Sequence, residues 1–262
     1  MRLLFLFLLF LVGCDRGDSS PKVVEPGSGQ GDAASKVVES ACGQQLFEGS
    51  RFIVCDPKNG RLRLFAAPSG AKPLRSFAEV ASMVDPNNVA FAMNAGMFDE
   101  DGRPIGLAIV HPGVQVHSIN LRDGPGNFHL KPNGVFMVSR DRPSIFVASA
   151  PLPLERTPTI ELATQSGPML VIDGKLHPKL EPDGKSRLVR NGVGVREGKA
   201  LFVISQDPVS LGKFARFFRD GLKTPNALYF DGSVSSLWDP ANGRQDSHSP
   251  LGPIIVAFKP GR

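Results

Sequence analysis

The strand-like apolar run Ala227-Leu228-Tyr229-Phe230 leads straight into Asp231-Gly232-Ser233-Val234-Ser235-Ser236. A carboxylate at the end of a run that must be buried is costly if it stays ionised and unpaired. Its presence therefore points to a ligand or a partner. Gly232 allows backbone N–H groups to approach an anion closely, and Ser235 and Ser236 add hydroxyls. Taken alone, the segment also reads as an ordinary Asp-Gly turn. It has company, however. Val89–Met93 ends at Asn94-Ala95-Gly96, Ser166-Gly167 opens the run Pro168–Val171, and Arg187-Leu188-Val189-Arg190-Asn191 opens Gly192–Val195. Polar clusters at strand ends converge when the strands lie in one sheet.

In this order, the clusters resemble the phosphodiester glycosidase family, the bacterial and animal relatives of the lysosomal "uncovering enzyme". The resemblance spans roughly Phe52 to Phe258. It is similar to a bacterial branch in which Pro104-Ile105-Gly106-Leu107 is followed by Gly126-Asn127-Phe128 and Lys131-Pro132-Asn133-Gly134-Val135-Phe136. Better-known members carry a run of glycines after the aspartate, where this chain has Ser233 and Val234. The resemblance implies hydrolysis of a sugar-1-phosphodiester to free sugar and phosphomonoester. A phosphomonoester has a second pKa of about 6, so it departs without strong protonation, and the second carboxylic acid of ordinary glycosidases becomes less necessary. The remaining needs are a cation for the phosphate and a carboxylate to stabilise the oxocarbenium centre or activate water. Asp231 suits the second. Arg187 and Arg190 are the clamp candidates, since a guanidinium fork binds phosphate oxygens bidentately. Their spacing puts them on opposite sides of a strand, so only one need point inward. Asn94 and Asn191 offer amides to sugar hydroxyls. Gly96 belongs to the same cluster, Ser166, Gly167 and Gly232 offer backbone N–H groups, and Ser235 and Ser236 offer hydroxyls. Asn94 and Asn191 also read as turn residues, Arg190 as a solvated strand edge, and Gly96 as a backbone requirement.

The elements that must position these groups are short. Gly (28) and Pro (23) are frequent enough to punctuate eleven strand-like runs, among them Arg51–Cys55, Arg61–Ala66, Val89–Met93, Ile105–Val110, Gly134–Val138 and Ala227–Phe230. Asp173-Gly174 and Gly198-Lys199 read as hairpin turns. Ser76-Phe77-Ala78-Glu79 is a capping box opening one helix. Asp207-Pro208 reads as the N-cap and first turn of a second, with Leu211, Phe214, Ala215 and Phe218 on one stripe. Few helices against many strands predict an α+β fold, a single domain with a mixed, mostly antiparallel sheet and a few packed helices.

Leu3–Val12 is too short for a membrane span, which needs about 20 apolar residues, and suits a signal-peptide core. Leu11-Val12-Gly13-Cys14 resembles a bacterial lipobox, with an ordinary secretory signal as the alternative. The expected organisation is a signal peptide at 1–13, a flexible tether at 14–41 rich in Gly, Ser, Asp and Pro, and a domain at 42–262. Cys14 would carry the lipid, tying the chain to a membrane of the bacterial cell envelope and facing the periplasm. Cys42 and Cys55 form an exported pair suited to a disulfide, two free thiols being the alternative.

The net charge of +5 is dispersed, without the basic runs or interleaved aromatics of a nucleic-acid binder. His111, His117, His129, His177 and His248 show no metal-ligand spacing. No cofactor is predicted, and a divalent cation beside the phosphate stays open. The expected partners are a glycan or sugar-phosphate ligand and the membrane, with no nucleic acid. The competing reading is a non-catalytic envelope lipoprotein that binds a cell-wall glycan or sugar phosphate, based on Ser233 and Val234 replacing glycines.

Overall fold

The computed structural model describes residues 39–110, 113–140, 142–149 and 160–261. The expected signal peptide 1–13, Cys14 and the tether up to residue 38 lie outside the described residues.

Three sheets carry the fold. The first has the spatial order β1 (Cys42–Phe47), β2 (Ser50–Cys55), β13 (Lys199–Ser205), β12 (Asn191–Arg196), β14 (Asn226–Asp231), β10 (Met169–Ile172) and β11 (Lys175–Leu176). The second runs β16 (Arg244–Gln245), β15 (Leu237–Asp239), β4 (Val89–Asn94), β17 (Ile254–Phe258) and β3 (Leu62–Phe65). The third runs β6 (Val114–His117), β5 (Ala108–Val110), β9 (Ile160–Ser166), β7 (Gly134–Ser139) and β8 (Arg142–Val147). Every pairing among the described strands is antiparallel. The expected mostly antiparallel pairing holds, while the one mixed sheet is corrected to three, each antiparallel throughout its described strands. Periodicity marks a strand, but it does not choose the strand's partner.

The sheets share one core. Phe91 and Met93 from the second, Phe136 from the third, and Phe202, Leu228 and Phe230 from the first pack together. The outer face of the first sheet is covered by α2 (Leu211–Arg216), which continues as a π turn at Phe217–Gly221. Its Phe214, Phe217 and Phe218 pack with Phe52 and Tyr229, and the Phe52 and Phe217 rings stack at 4.1 Å. The second sheet is covered by α1 (Phe77–Ala81), where Phe77 meets Trp238. Covering both faces explains why β4 and β14 are apolar at successive positions rather than alternately.

Local chemistry sets the ends. Ser76 Oγ accepts from Glu79 N, and Glu79 accepts from Arg75 N, one residue before the expected box partner. The N-cap of α2 is Ser210, whose Oγ accepts from Lys213 N at 3.1 Å. Asp207 does not cap it, because Val209 is bridged to Leu188 and keeps the chain extended past Pro208. Instead Asp207 accepts from the side chain and backbone of Arg51, which hold its carboxyl down at about 2. Glu48-Gly49, Asp173-Gly174 and Glu197-Gly198 each have two positive φ values, the two-residue turn that matches strand twist. The last of these lies one residue earlier than its sequence reading. Cys42 and Cys55 are register partners across the first hairpin and are joined by a disulfide.

One buried histidine gives the fold a pH dependence. His177 is 1% exposed, and its Nδ1 accepts from Lys179 N. Burial holds its pKa below the ordinary 6.5 despite the opposing carbonyls of Lys131 and Pro132. Below that value the unfolded chain takes up a proton that the folded chain resists, so stability falls with the pH. We expect unfolding midpoints in urea to be level above pH 6.5 and to decline as the pH drops below it. His177→Phe should remove that part of the slope, and an unchanged slope in the variant would contradict the assignment.

Candidate functional site

The strand ends named from the sequence meet where the three sheets adjoin. Asn191 opens β12 opposite Asp231, the last residue of β14. The register shifts by one between Asn191 and Gly192, leaving an extra residue in β14. Such a β-bulge re-aims the side chains beside it. Here Phe230 is fully buried in the core while Asp231 is half-buried. β9 reaches the same place, since Ser166 Oγ donates to Phe230 O at 3.1 Å.

Behind Asp231 lies a buried amide pair. Asn191 Nδ2 donates to Asn94 O at 2.7 Å and to Asn94 Oδ1 at 3.0 Å. Asn94 Oδ1 also accepts from Ser236 N at 2.8 Å, and Asn191 Oδ1 from Ser235 Oγ at 3.2 Å. The second hydroxyl, Ser236 Oγ, donates to Val234 O at 2.7 Å. All four residues are at most 4% exposed. The sequence expectation of amides and hydroxyls open to a sugar is therefore corrected. Buried amides need partners, and these satisfy one another, clamping the Asp231 loop to β4 and β12.

The glycines and Ser166 are likewise structural. A Cβ on Gly96 would lie 2.4 Å from Gln165 O and 2.5 Å from Thr164 Oγ1. One on Gly167 would lie 2.8 Å from Phe128 O, within the Asn127–His129 turn. Ser166 is fully buried with its hydroxyl engaged. Gln165 extends the same framework: its Oε1 accepts from Leu107 N and Asn120 N, each at 2.9 Å, and its Nε2 donates to Asn120 O at 2.7 Å. The segments around Pro104–Gly106 and Gly126–Phe128 are thereby held against the end of β9.

Asp231 Oδ1 accepts the backbone N–H of Ser233 and of Val234, the latter at 2.9 Å. Among the described residues nothing engages Oδ2, and no ion pair joins this carboxylate to Arg187 or Arg190. The two arginines differ sharply. Arg190 is 1% exposed, with Nε donating to Val209 O at 2.7 Å, Nη1 to Tyr229 Oη at 2.9 Å, and Nη2 to Ser186 O and Oγ at 3.1 Å each. Its guanidinium stands over the Tyr229 ring at 5.6 Å. Only one N–H, on Nη1, is left uncommitted among the described residues, so Arg190 is not a free bidentate clamp. Arg187 is exposed, and no hydrogen bond or ion pair holds it among the described residues.

Gly232 brings the two chemistries together. A Cβ there would lie 2.1 Å from Tyr229 Oη, 3.1 Å from Arg190 Nη1 and 3.3 Å from Leu188 Cδ1. The loop thus rests on the buried guanidinium, with the neighbour of Arg187 alongside. Burial raises the Tyr229 pKa. The Arg190 charge opposes this and the Asp231 charge adds to it, so the carboxylate acts electrostatically on the phenol. Tyr229 and Asn127, whose amide helps lower the phenol's pKa against burial, escaped the sequence reading. A signal was present for Tyr229: it is the only tyrosine beside 18 phenylalanines, placed where a phenylalanine would pack. A tyrosine retained inside a core implies a partner for its hydroxyl. Beside Ser235 opens a cleft of about 360 Å³, also lined by Ser205, Gln206, Arg244, Asp246 and His248.

Residues 87–255 match the family described as phosphodiester glycosidase. The uncharacterized protein YigE of Escherichia coli (strain K12) is 33% identical over 185 residues, covering 70% of this chain and 71% of that protein. Among solved structures, the zebrafish N-acetylglucosamine-1-phosphodiester alpha-N-acetylglucosaminidase catalytic domain, auto-inhibited by its pro-peptide, is similar at a TM-score of 0.57 and 17% identity. That match covers 87% of this chain and 85% of the zebrafish one. A hypothetical protein from Synechocystis is similar at a TM-score of 0.51 and 16% identity, covering 83% of this chain and 61% of its own. At these identities the two structures show a shared fold.

Proposed function

We propose, since the chain belongs to the phosphodiester glycosidase family, that it is an exported hydrolase splitting a glycosyl phosphodiester into free sugar and a phosphomonoester. The supporting observation is Asp231: a half-buried carboxylate at a β-bulge, with one oxygen held by two backbone N–H groups and the other uncommitted among the described residues. In this reading Asp231 stabilises the oxocarbenium centre or takes a proton from the attacking water. The anomeric C–O bond breaks, and its electron pair leaves with the phosphate oxygen. The exposed Arg187 holds that phosphate, while Arg190 supports the loop from beneath. The cleft beside Ser235 has room for the sugar, with Gln206, His248 and the Arg244–Asp246 pair in its lining. Lipidation of Cys14 would keep the enzyme on an envelope membrane, facing the periplasm.

The binding-only reading began from Ser233 and Val234 standing where relatives carry glycines. Their contribution to Asp231 is made by backbone N–H groups, which any residue supplies, so those positions do not argue against catalysis. Turnover of an N-acetylglucosamine-1-phosphodiester in heavy-oxygen water tests the proposal. We expect the label on the released sugar. Label on the phosphate would mean P–O cleavage, and tight binding without turnover across a panel of sugars would mean a binding protein.

A further inference from the structure

β4 runs from Val89 to Asn94, so at about 3.4 Å per residue its two ends lie about 17 Å apart. The Asn94 end meets the Asp231 loop. The Val89 end opens on a groove of about 530 Å³, whose lining includes Arg61, Arg63, Lys259, Asp85, Asn88 and Met83.

The charges in this groove are unbalanced. Arg61 stands over the Phe258 ring at 5.6 Å and Arg63 over Phe65 at 5.3 Å. Lys259 Nζ donates to the neutral Asn87 O at 2.8 Å. No acid forms an ion pair with any of the three among the described residues. Asp85, the acid in the lining, directs its oxygens to Asn87 N and Asn88 Nδ2. The cations are thus positioned by aromatic rings and a carbonyl, with their charge left for something outside the fold. Arg63 lies on the edge strand β3, and charge there discourages strand addition. That function does not account for Lys259 beyond β17, or for Met83, a large apolar side chain 62% exposed at the rim. Cations around an exposed apolar tip suit the headgroup layer of a bilayer.

Position supports the same occupant. Glu39, the first described residue, lines a neighbouring hollow that shares Lys259 and Pro260 with the groove. The residues preceding it in sequence include the apolar run Leu3–Val12 and Cys14. The groove therefore lies near Glu39, where the chain enters the domain downstream of Cys14, the expected lipid site. We propose that this groove binds the phosphates of anionic lipid headgroups, seating this end of the domain on the bilayer with the Asp231 loop at the opposite end of β4.

The test is sedimentation of the full chain with phosphatidylcholine vesicles, with and without phosphatidylglycerol. Each cation near an anionic surface contributes about fivefold in binding, so Arg61→Gln/Arg63→Gln should lower partition onto phosphatidylglycerol vesicles about twenty-five-fold. Partition onto phosphatidylcholine alone should not change, because the N-terminal segment is common to both proteins. High salt should erase the difference. Lys259→Gln, about fivefold by the same reasoning, carries the test if the double variant fails to fold by circular dichroism. Equal partition of variant and parent onto phosphatidylglycerol vesicles overturns the proposal. So does displacement of the parent by a soluble glycerol phosphate polymer at equal phosphate, which would mean that the groove reads phosphate without a bilayer. None of these residues belongs to the Asp231 site, so either proposal can fail without the other.

Discussion

Replacing Asp231 with Asn is expected to lower the rate of sugar release by about a hundredfold to ten-thousandfold, the range for a positioned carboxylate in acid–base work. The fold should be retained. Asparagine is nearly isosteric, and its carbonyl oxygen can still accept from Ser233 N and Val234 N, so the loop keeps its internal bonds. What is lost is the charge. The proposed substrate is itself anionic, so removing a nearby negative charge does not weaken its binding and can strengthen it. The informative signature is therefore a collapse in kcat with the Kd for a sugar-1-phosphate unchanged or lower. A purely structural Asp231 would instead show weakened binding together with a lower Tm. Undiminished turnover would remove Asp231 from the mechanism.

The strand ends that mark the candidate site are legible in the sequence and meet in the fold, and physical reasons separate them from what the sequence hides. β4 and β14 were visible because apolar residues at successive positions stop abruptly at Asn94 and Asp231. The Asn94–Asn191 pair was invisible, since the contact joins residues 97 apart through the packing of separate sheets. β9 was missed as a whole because Thr164 and Gln165 are polar, yet both are buried, with their side chains serving the backbones of Gly96, Leu107 and Asn120. Composition reports hydration preference, and a polar side chain whose partners are backbone groups looks the same in sequence as one that faces water. The α2 start was misplaced for a similar reason. Asp-Pro has the chemistry of a cap, and two long-range contacts divert it, the Val209–Leu188 bridge and the pairing of Asp207 with Arg51. Ser233 and Val234, where relatives carry glycines, serve Asp231 through their main chain, so their side chains say little about it.

The two arginines are where sequence and structure diverge most usefully, and a pair of substitutions separates their roles. Arg190→Lys should destabilise the protein by about 2–5 kcal/mol, because one ammonium cannot replace a fork that reaches Val209 O, Tyr229 Oη and Ser186 together, and each buried acceptor left empty costs about 1–3 kcal/mol. The urea midpoint should drop with little change in slope. Arg187→Gln should alter stability by no more than about 0.5 kcal/mol, as is usual at an exposed position. Its effect should appear in KM, raised about tenfold or more by the loss of charged hydrogen bonds to phosphate. The reverse pattern, a silent Arg187→Gln and a stable Arg190→Lys with impaired phosphate binding, would require Arg190 to leave Tyr229 when substrate arrives. Because Gly232 rests on both groups, such a rearrangement would also move Asp231, so it should be visible as ligand-dependent protection of the Asp231–Ser236 amides from hydrogen exchange.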